Sequence, residues 1–222
     1  DIGGQSTRPG SNPVNEEEEL KRVAGGIEAI RQRFPESFIS IDTYYGRVAK
    51  EAVAAGADMV NDISAGSLDH SLIPTVASLQ VPYVLMHMQG TPTTMQADPH
   101  YEDVTTEVLD LFIHRIPLLT AAGIKDIIID PGFGFGKTID HNFQLLRNLS
   151  AFSILPHPLL LGISRKSTIY KTLGTTSESA LNGTTVLNTI GLMNGAAILR
   201  VHDAREAAEA VRLVNACMSA GK

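Results

Sequence analysis

Leu159-Leu160-Leu161-Gly162-Ile163 carries no polar side chain and runs directly into Ser164-Arg165-Lys166-Ser167. An apolar run without alternation is what a strand covered on both faces requires, and such strands belong to parallel sheets flanked by helices. The same event recurs along the chain. Apolar runs also end in Asp1-Ile2-Gly3-Gly4, Ile41-Asp42-Thr43, Val60-Asn61-Asp62, Leu85-Met86-His87, Ile129-Asp130-Pro131 and Leu199-Arg200-Val201-His202, each followed by turn residues and a helical stretch. Strands that all stop on hydrogen-bonding side chains at one common end build a rim, and in a parallel β/α barrel the chemistry sits on that rim.

Between these runs the apolar spacing predicts helices over 16–34, 45–55, 69–79, 102–122, 141–153, 166–173 with 178–194, and 204–218. Asn15 with Glu18, and Asp203 with Glu206, read as capping boxes. The acidic run Glu16 to Glu19 then forms a mostly solvated first turn at the positive end of the helix dipole. Alternation without a break in composition predicts one α/β domain over 1–222, a TIM (β/α)8 barrel. A closed barrel of that kind has eight strands, whereas the chain reads as six full strands and the stub Asp1-Ile2. The expectation is therefore a barrel lacking its first strand and helix, with an open seam beside the strand ending at His202.

Composition narrows the classes. At 43% hydrophobic and 19% charged the chain is neither disordered nor rich in membrane-length apolar runs. A net charge of -6 with no basic cluster argues against a nucleic-acid surface, so an anionic ligand has to be met locally. The single Cys217 excludes an intrachain disulfide and fits a reducing compartment, the cytoplasm.

Several stretches carry chemistry. Gly136-Lys137-Thr138 ends like a P-loop, but the glycine that should open such a loop falls at Pro131, and Asp130 at the strand end would repel phosphate. Asp130 reads better as a buried carboxylate followed by a glycine-rich loop, with a turn-capping aspartate as the alternative. Gly162-Ile163-Ser164-Arg165-Lys166 lacks the last glycine of a nucleophile elbow. Lys166 reads as a rim residue, either a Schiff-base nucleophile or a fixed donor and positive charge, with a salt-bridging surface lysine as the alternative. Arg200 and His202, either side of Val201, point to one face of the last strand, where a phosphate or pyrophosphate could sit. Arg8, in the loop after Ser6-Thr7, adds a cation. His87 reads as structural or functional equally, and no His pair has zinc-motif spacing.

Taken together, Asp1-Ile2-Gly3-Gly4-Gln5-Ser6-Thr7-Arg8-Pro9-Gly10, Ser40-Ile41-Asp42-Thr43, Asn61-Asp62-Ile63-Ser64, Met86-His87-Met88-Gln89-Gly90, the Asp130 segment, Ser164-Arg165-Lys166-Ser167 and Arg200-Val201-His202-Asp203 resemble the dihydropteroate synthase family of pterin-binding enzymes. The resemblance runs in order from the first residue to the last helix. Gln5, where Glu is common, and Thr93, where Lys is common, are mild departures.

The resemblance implies a transferase of folate synthesis that condenses 4-aminobenzoate with 6-hydroxymethyl-7,8-dihydropterin diphosphate, releasing pyrophosphate, with sulfonamides as competitors. It implies that Asp42, Asn61, Asp130 and Lys166 hold the pterin beside Met86, and that Arg200 and His202 hold the diphosphate. Thr7 and Arg8 would belong to a loop closing over the reacting centre, and Phe135 and Ser167 would border the aminobenzoate. Asp42, Lys166, Arg200 and His202 are the catalytic candidates. The family's Mg²⁺ is held by an Asn in an opening segment not found in residues 1–222, and no metal ligand is assigned within them. Dimers through the last helices are implied as well, and Leu181, Val186, Ile190 and Met193 suit either that face or the core. A pterin-dependent methyltransferase, a Schiff-base aldolase and a non-catalytic pterin-binding module are the alternatives.

Overall fold

A computed structural model describes residues 1–6 and 10–221. In chain order the elements are β1 (Ile2–Gly3), α1 (Glu16–Arg33), β2 (Ser40–Asp42), α2 (Gly46–Ala54), β3 (Met59–Asp62), α3 (Leu72–Leu79), β4 (Tyr83–Met86), α4 (Val104–Ala121), β5 (Ile127–Asp130), α5 (Ile139–Arg147), a 3-10 turn (Leu149–Ile154), β6 (Leu159–Leu161), α6 (Ser167–Thr172), α7 (Leu181–Met193), β7 (Ala196–Leu199) and α8 (Ala204–Ser219). Strand and helix alternate as a β/α barrel chain does, and strand order follows chain order. The chain divides into two compact units, Asp1–Met95 with Leu111–Ile129, and Gln96–Asp110 with Asp130–Lys222.

In the first unit β1 to β4 run parallel, and the register places Asp42 beside Asn61 and Asp62 beside Leu85. Asp42, Asp62 and Met86 close β2, β3 and β4, strands of three or four residues that are buried throughout. Ile41, Val60, Val84 and Leu85 are shielded from solvent by Val23 and Ile27 of α1, Val48 and Ala52 of α2, and Leu72 and Val76 of α3. Helix α1 begins where expected, since Asn15 Oδ1 accepts the Glu18 N–H at 2.9 Å. Its acidic first turn is only partly solvated: Glu19 is 0% exposed. The fourth residue of a helix has turned past the solvent face, and here it lies under Gly4, where an added Cβ would meet Glu19 Cγ at 2.8 Å.

In the second unit β6 and β7 run parallel. Leu160, Leu161 and Ile163 are buried with Leu145, Leu149, Phe152 and Ile169. Helix α7 closes onto β6 through Gly191, whose missing Cβ would stand 2.2 Å from Leu161 Cδ2. Strand β7 ends at Leu199, three residues before His202, with Ala197 exposed, and its strand neighbour is β6. A register shift lies at the start of this ladder, between Leu159 and Leu160, and the bond from Arg200 N to Leu161 O at 2.9 Å lies at its end. The period-two argument for Arg200 and His202 therefore does not apply, because neither is in a strand. The expected Asp203 cap is also absent: Asp203 makes no capping bond to α8, since its carboxylate is taken by Arg165 at 2.8 Å through both oxygens. Thr138 and His141 instead form a reciprocal capping box at α5.

Candidate active site

Each unit presents a polar cluster at the ends of its strands. In the first, buried Asp42 ends β2, with Asn61 as its register neighbour on β3. Asn61 Nδ2 donates to Asp1 Oδ2 at 3.4 Å, and Ser40 Oγ donates to the other Asp1 oxygen, so the Asp1 carboxylate joins β2 and β3. Next to Asn61, Asp62 is fully enclosed. Its two oxygens accept from Ser64 N and Ser64 Oγ at 2.7 Å each, and from Gly66 N and Tyr83 Oη at 2.6 Å each. Burial pushes the Asp62 carboxyl up, opposed by Ser64, Tyr83 and the Gly66 N–H. Four donors on one carboxylate lock the turn that follows β3, and this fixes Asn61 at its rim. Met86 and His87, at the end of β4, are both buried. Thr7 and Arg8 lie outside the described residues.

In the second unit Asp130 is buried at the end of β5 and accepts the Gly132 N–H at 2.8 Å. Burial raises its pKa, while Lys166, the Gly132 N–H, Lys137 and Arg200 pull the other way. Lys166 follows β6. Its Nζ donates to the Phe133 carbonyl and stands 4.6 Å from the centroid of the Phe135 ring. Gly134, at φ +81, allows that approach, since a Cβ there would lie 3.2 Å from Lys166 Cδ. Gly162 lies nearby, with Asp130 Oδ2 and Arg200 Cβ at 3.8 and 3.9 Å, ordinary contact distances, from the position a Cβ would take. Ser164 Oγ lies 3.0 Å from His202 Nδ1 and accepts the His202 N–H at 3.2 Å. Ser167 opens α6, half-buried.

Among the sequence candidates, Asp42, Asn61 and Met86 therefore gather in the first unit, and Asp130, Phe135, Lys166, Ser167, Arg200 and His202 in the second. Arg165, within the same short motif, is not a rim donor. Held at φ 53, it binds Asp203 and the Ser177 and Glu178 carbonyls at 2.9 and 2.6 Å, with its own N–H on Thr184 Oγ1 at 3.0 Å. Arg165 beside it keeps Asp203 below the usual carboxylate range. Two participants escape the sequence reading. Lys137 enters it only as the end of a failed P-loop, although a lysine among Gly and Phe beside an aspartate signals an enclosed cation. Asp1 looks like a strand stub and is in fact the acceptor shared by Ser40 and Asn61.

Among the described residues no group of three or more His, Cys, Asp or Glu side chains could hold a metal ion. No described helix is long and apolar enough to cross a membrane.

The pterin binding enzyme family model matches residues 1–202. The chain is 46% identical over 222 residues to the dihydropteroate synthase of Escherichia coli (strain K12), covering 99% of this chain and 78% of that one. To the dihydropteroate synthase of Haemophilus influenzae it is 42% identical, covering 99% and 80%. The Yersinia pestis dihydropteroate synthase, solved as a sulfonamide drug complex, superposes with a TM-score of 0.95 at 42% identity over 98% of this chain and 79% of the other. The Xanthomonas albilineans dihydropteroate synthase with 4-aminobenzoic acid gives a TM-score of 0.92 at 40% identity, covering 98% and 78%.

Proposed function

This chain belongs to the dihydropteroate synthases among the pterin-binding enzymes, and from that membership we propose which of its residues carry the reaction. It is a transferase of folate biosynthesis, joining 4-aminobenzoate to 6-hydroxymethyl-7,8-dihydropterin diphosphate to give dihydropteroate and pyrophosphate. A continuous match over residues 1–202 supports taking 1–222 as one pterin-binding domain.

The observation that carries the assignment of roles is the buried Asp130 carboxylate with the half-buried Lys166 acting on it. A buried carboxylate accepts paired N–H groups from a flat heterocycle edge, and an ammonium beside it donates to a ring oxygen or nitrogen. Asp130 and Lys166 thus hold the pterin edge, and by resemblance Asn61, whose amide can both donate and accept, and the apolar Met86 are assigned to the same ligand. Arg200 and His202 take the diphosphate. As the methylene C–O bond breaks, pyrophosphate leaves with the bonding pair and positive charge develops on the pterin methylene. The Asp42 carboxylate stabilises that charge electrostatically. The arylamine nitrogen then attacks the methylene and loses a proton, with Phe135 and Ser167 bordering the aminobenzoate. Thr7 and Arg8 retain by resemblance their place over the reacting centre.

Magnesium would accompany the diphosphate in this family, but the described side chains offer no complete cage for it. Within the chain, the side chains we assign to the diphosphate are Arg200 and His202. Sulfonamide competition at the aminobenzoate position and a cytoplasmic setting follow the same reading. A homodimer through α7 and α8 is supported by exposure: Val186, Met193, Leu213 and Met218 present apolar side chains to solvent, whereas Leu181 is half-buried. The deciding experiment incubates the chain with both substrates and measures pyrophosphate and dihydropteroate together. Equimolar formation of the two supports the reading. Methyl transfer from a folate or corrinoid donor without pyrophosphate would replace it, and so would a carbonyl adduct on Lys166 trapped by borohydride.

A further inference from the structure

The loop after Asp130 is built around a second lysine. Lys137 is 3% exposed, and its Nζ donates to the Gly132 carbonyl at 2.9 Å and the Phe135 carbonyl at 3.2 Å. Lys166 takes the carbonyl between them, that of Phe133. Three carbonyls of one four-residue loop are therefore shared by two lysines. Gly132, Gly134 and Gly136 stand at φ 70, 81 and 64, the left-handed turns that bend the loop around the Lys137 side chain. The loop is braced from outside as well. Gln96 Nε2 donates to the Gly134 carbonyl at 2.6 Å, Gly134 N donates to Asn142 Oδ1 at 2.8 Å, and Tyr101 Oη donates to the Gly136 carbonyl at 2.7 Å.

We propose that Lys137 is a positioning residue of this site: by holding the Gly132 and Phe135 carbonyls from inside the loop, it fixes where the Phe133 carbonyl and the Phe135 ring meet Lys166. The inference rests on the reading of Asp130 and Lys166 as pterin ligands and deepens it. A lysine kept only for solubility would not be enclosed, and one kept only for packing would not face the carboxylate and ammonium of the site. The charged groups facing Lys137 are Asp130 at the end of β5 and Lys166 at the start of α6, and Arg200 acts in turn on Asp130. Burial lowers Lys137 to about 7, with Asp130 opposing the fall and Lys166 adding to it. A proton gained there places a second cation next to Lys166, while the neutral amine still donates both hydrogen bonds.

The test compares wild type, Lys137→Met and Asp130→Asn by calorimetry with 6-hydroxymethylpterin between pH 6 and 9, after thermal melting has established that each is folded. Lys137→Met is expected to bind the pterin about tenfold or more weakly, because a small displacement of Phe133 and Phe135 misplaces Lys166. It should also lose an inflection near pH 7 that wild type displays, and raise KM for 4-aminobenzoate through Phe135. Wild-type affinity, or a loss that leaves the pH profile unmoved, overturns the assignment. Retained affinity in Asp130→Asn would sink the pterin reading itself, which keeps the two failures apart. Should Lys137→Met not fold, lysine carrying ¹³C at Cε in the wild-type protein gives the same answer. One signal titrating near pH 7 and shifting on pterin addition supports the proposal, whereas lysine signals that all titrate at their ordinary pH, or ignore the pterin, refute it.

Discussion

Asp130 is buried and Lys166 half-buried beside it, so removing either takes an opposite charge from the other at a partly desolvated place. Asp130→Asn and Lys166→Ala are each expected to cost ~2 to 4 kcal/mol of pterin binding, measured by calorimetry. Unchanged affinity in both would return Asp130 to a turn-capping role. Arg200 is different in kind, being exposed. Its guanidinium suits an anion, so Arg200→Ala should weaken a diphosphate-bearing pterin far more than the bare pterin, and equal losses for both ligands would show that it supports the pocket instead. Glu19 is the residue whose titration bears on stability. Burial raises it from 4.5 to about 7, against hydrogen bonds from Thr43 and Gln5 and the charge of Arg22. The folded state therefore holds a proton that the unfolded chain releases between about 4.5 and about 7, and stability falls as pH rises through that window. Glu19→Gln should stabilise the protein by ~1 to 3 kcal/mol at pH 8 and by little near pH 4.5, read from urea unfolding at both pH values. A difference that does not change with pH would mean that Glu19 stays ionised in the fold. Position along the helix, not residue type, hides this group from the sequence, since four consecutive glutamates read as a solvated turn and only packing under Gly4 singles out the fourth.

At the scale of elements, the strand ends are legible because a continuous apolar run needs cover on both faces, and a polar residue can enter it only where that cover stops. Asp42, Asn61, Met86, Asp130 and Lys166 all stand at such ends or in the turn directly after. The helices are legible to within a few residues, except that the one expected over 141–153 is α5 ending at Arg147 and a 3-10 turn over Leu149–Ile154, and the other misreadings have local causes. Asp203 reads as a cap because it precedes Glu206 by three, yet Arg165 offers its carboxylate two charged hydrogen bonds in place of one backbone N–H. Arg200 and His202 read as part of β7 because the apolar run reaches that far. The ladder stops earlier, since the chain turns to put the His202 N–H on Ser164 Oγ. Close approach between elements is not written in hydrophobic periodicity at all. Gly191 is the contact on which α7 meets β6, with Leu161 Cδ2 2.2 Å from where a Cβ would stand. Gly191→Ala should therefore destabilise the fold by ~1 to 3 kcal/mol through overpacking, despite the higher helix propensity of alanine. A thermal melt at or above the wild-type value would show that Leu161 can turn aside freely.

For the whole molecule, charge and surface decide what kind of partner is compatible. A net charge of -6 offers no attraction to a polyanion, so recognition of an anionic substrate depends on a few placed cations instead of a field over the surface. The apolar surface is less evenly spread. Helices α7 and α8 expose Val186, Met193, Leu213 and Met218, and Leu213 is 72% exposed. Met193, Leu213 and Met218, with Thr189, Val214 and Cys217, border a shallow groove of about 190 Å³. Sequence periodicity leaves Val186, Ile190 and Met193 divided between core and interface, because an apolar stripe has the same spacing in both. Exposure separates the two for Val186 and Met193, which stand open to solvent at 50% and 60%. Scattered apolar side chains need no partner, but a contiguous row along two neighbouring helices marks an interaction face. If a second copy covers that face, Leu213→Glu places two charges in an apolar contact and should convert the wild-type dimer to a monomer in light scattering at micromolar concentration. Pterin affinity should survive the change, because Leu213 lies on the exposed face of α8 and is not among the proposed ligands. A wild-type protein that is already monomeric, or a Leu213→Glu variant that stays dimeric, would remove α8 from the interface and leave the exposed row without a role.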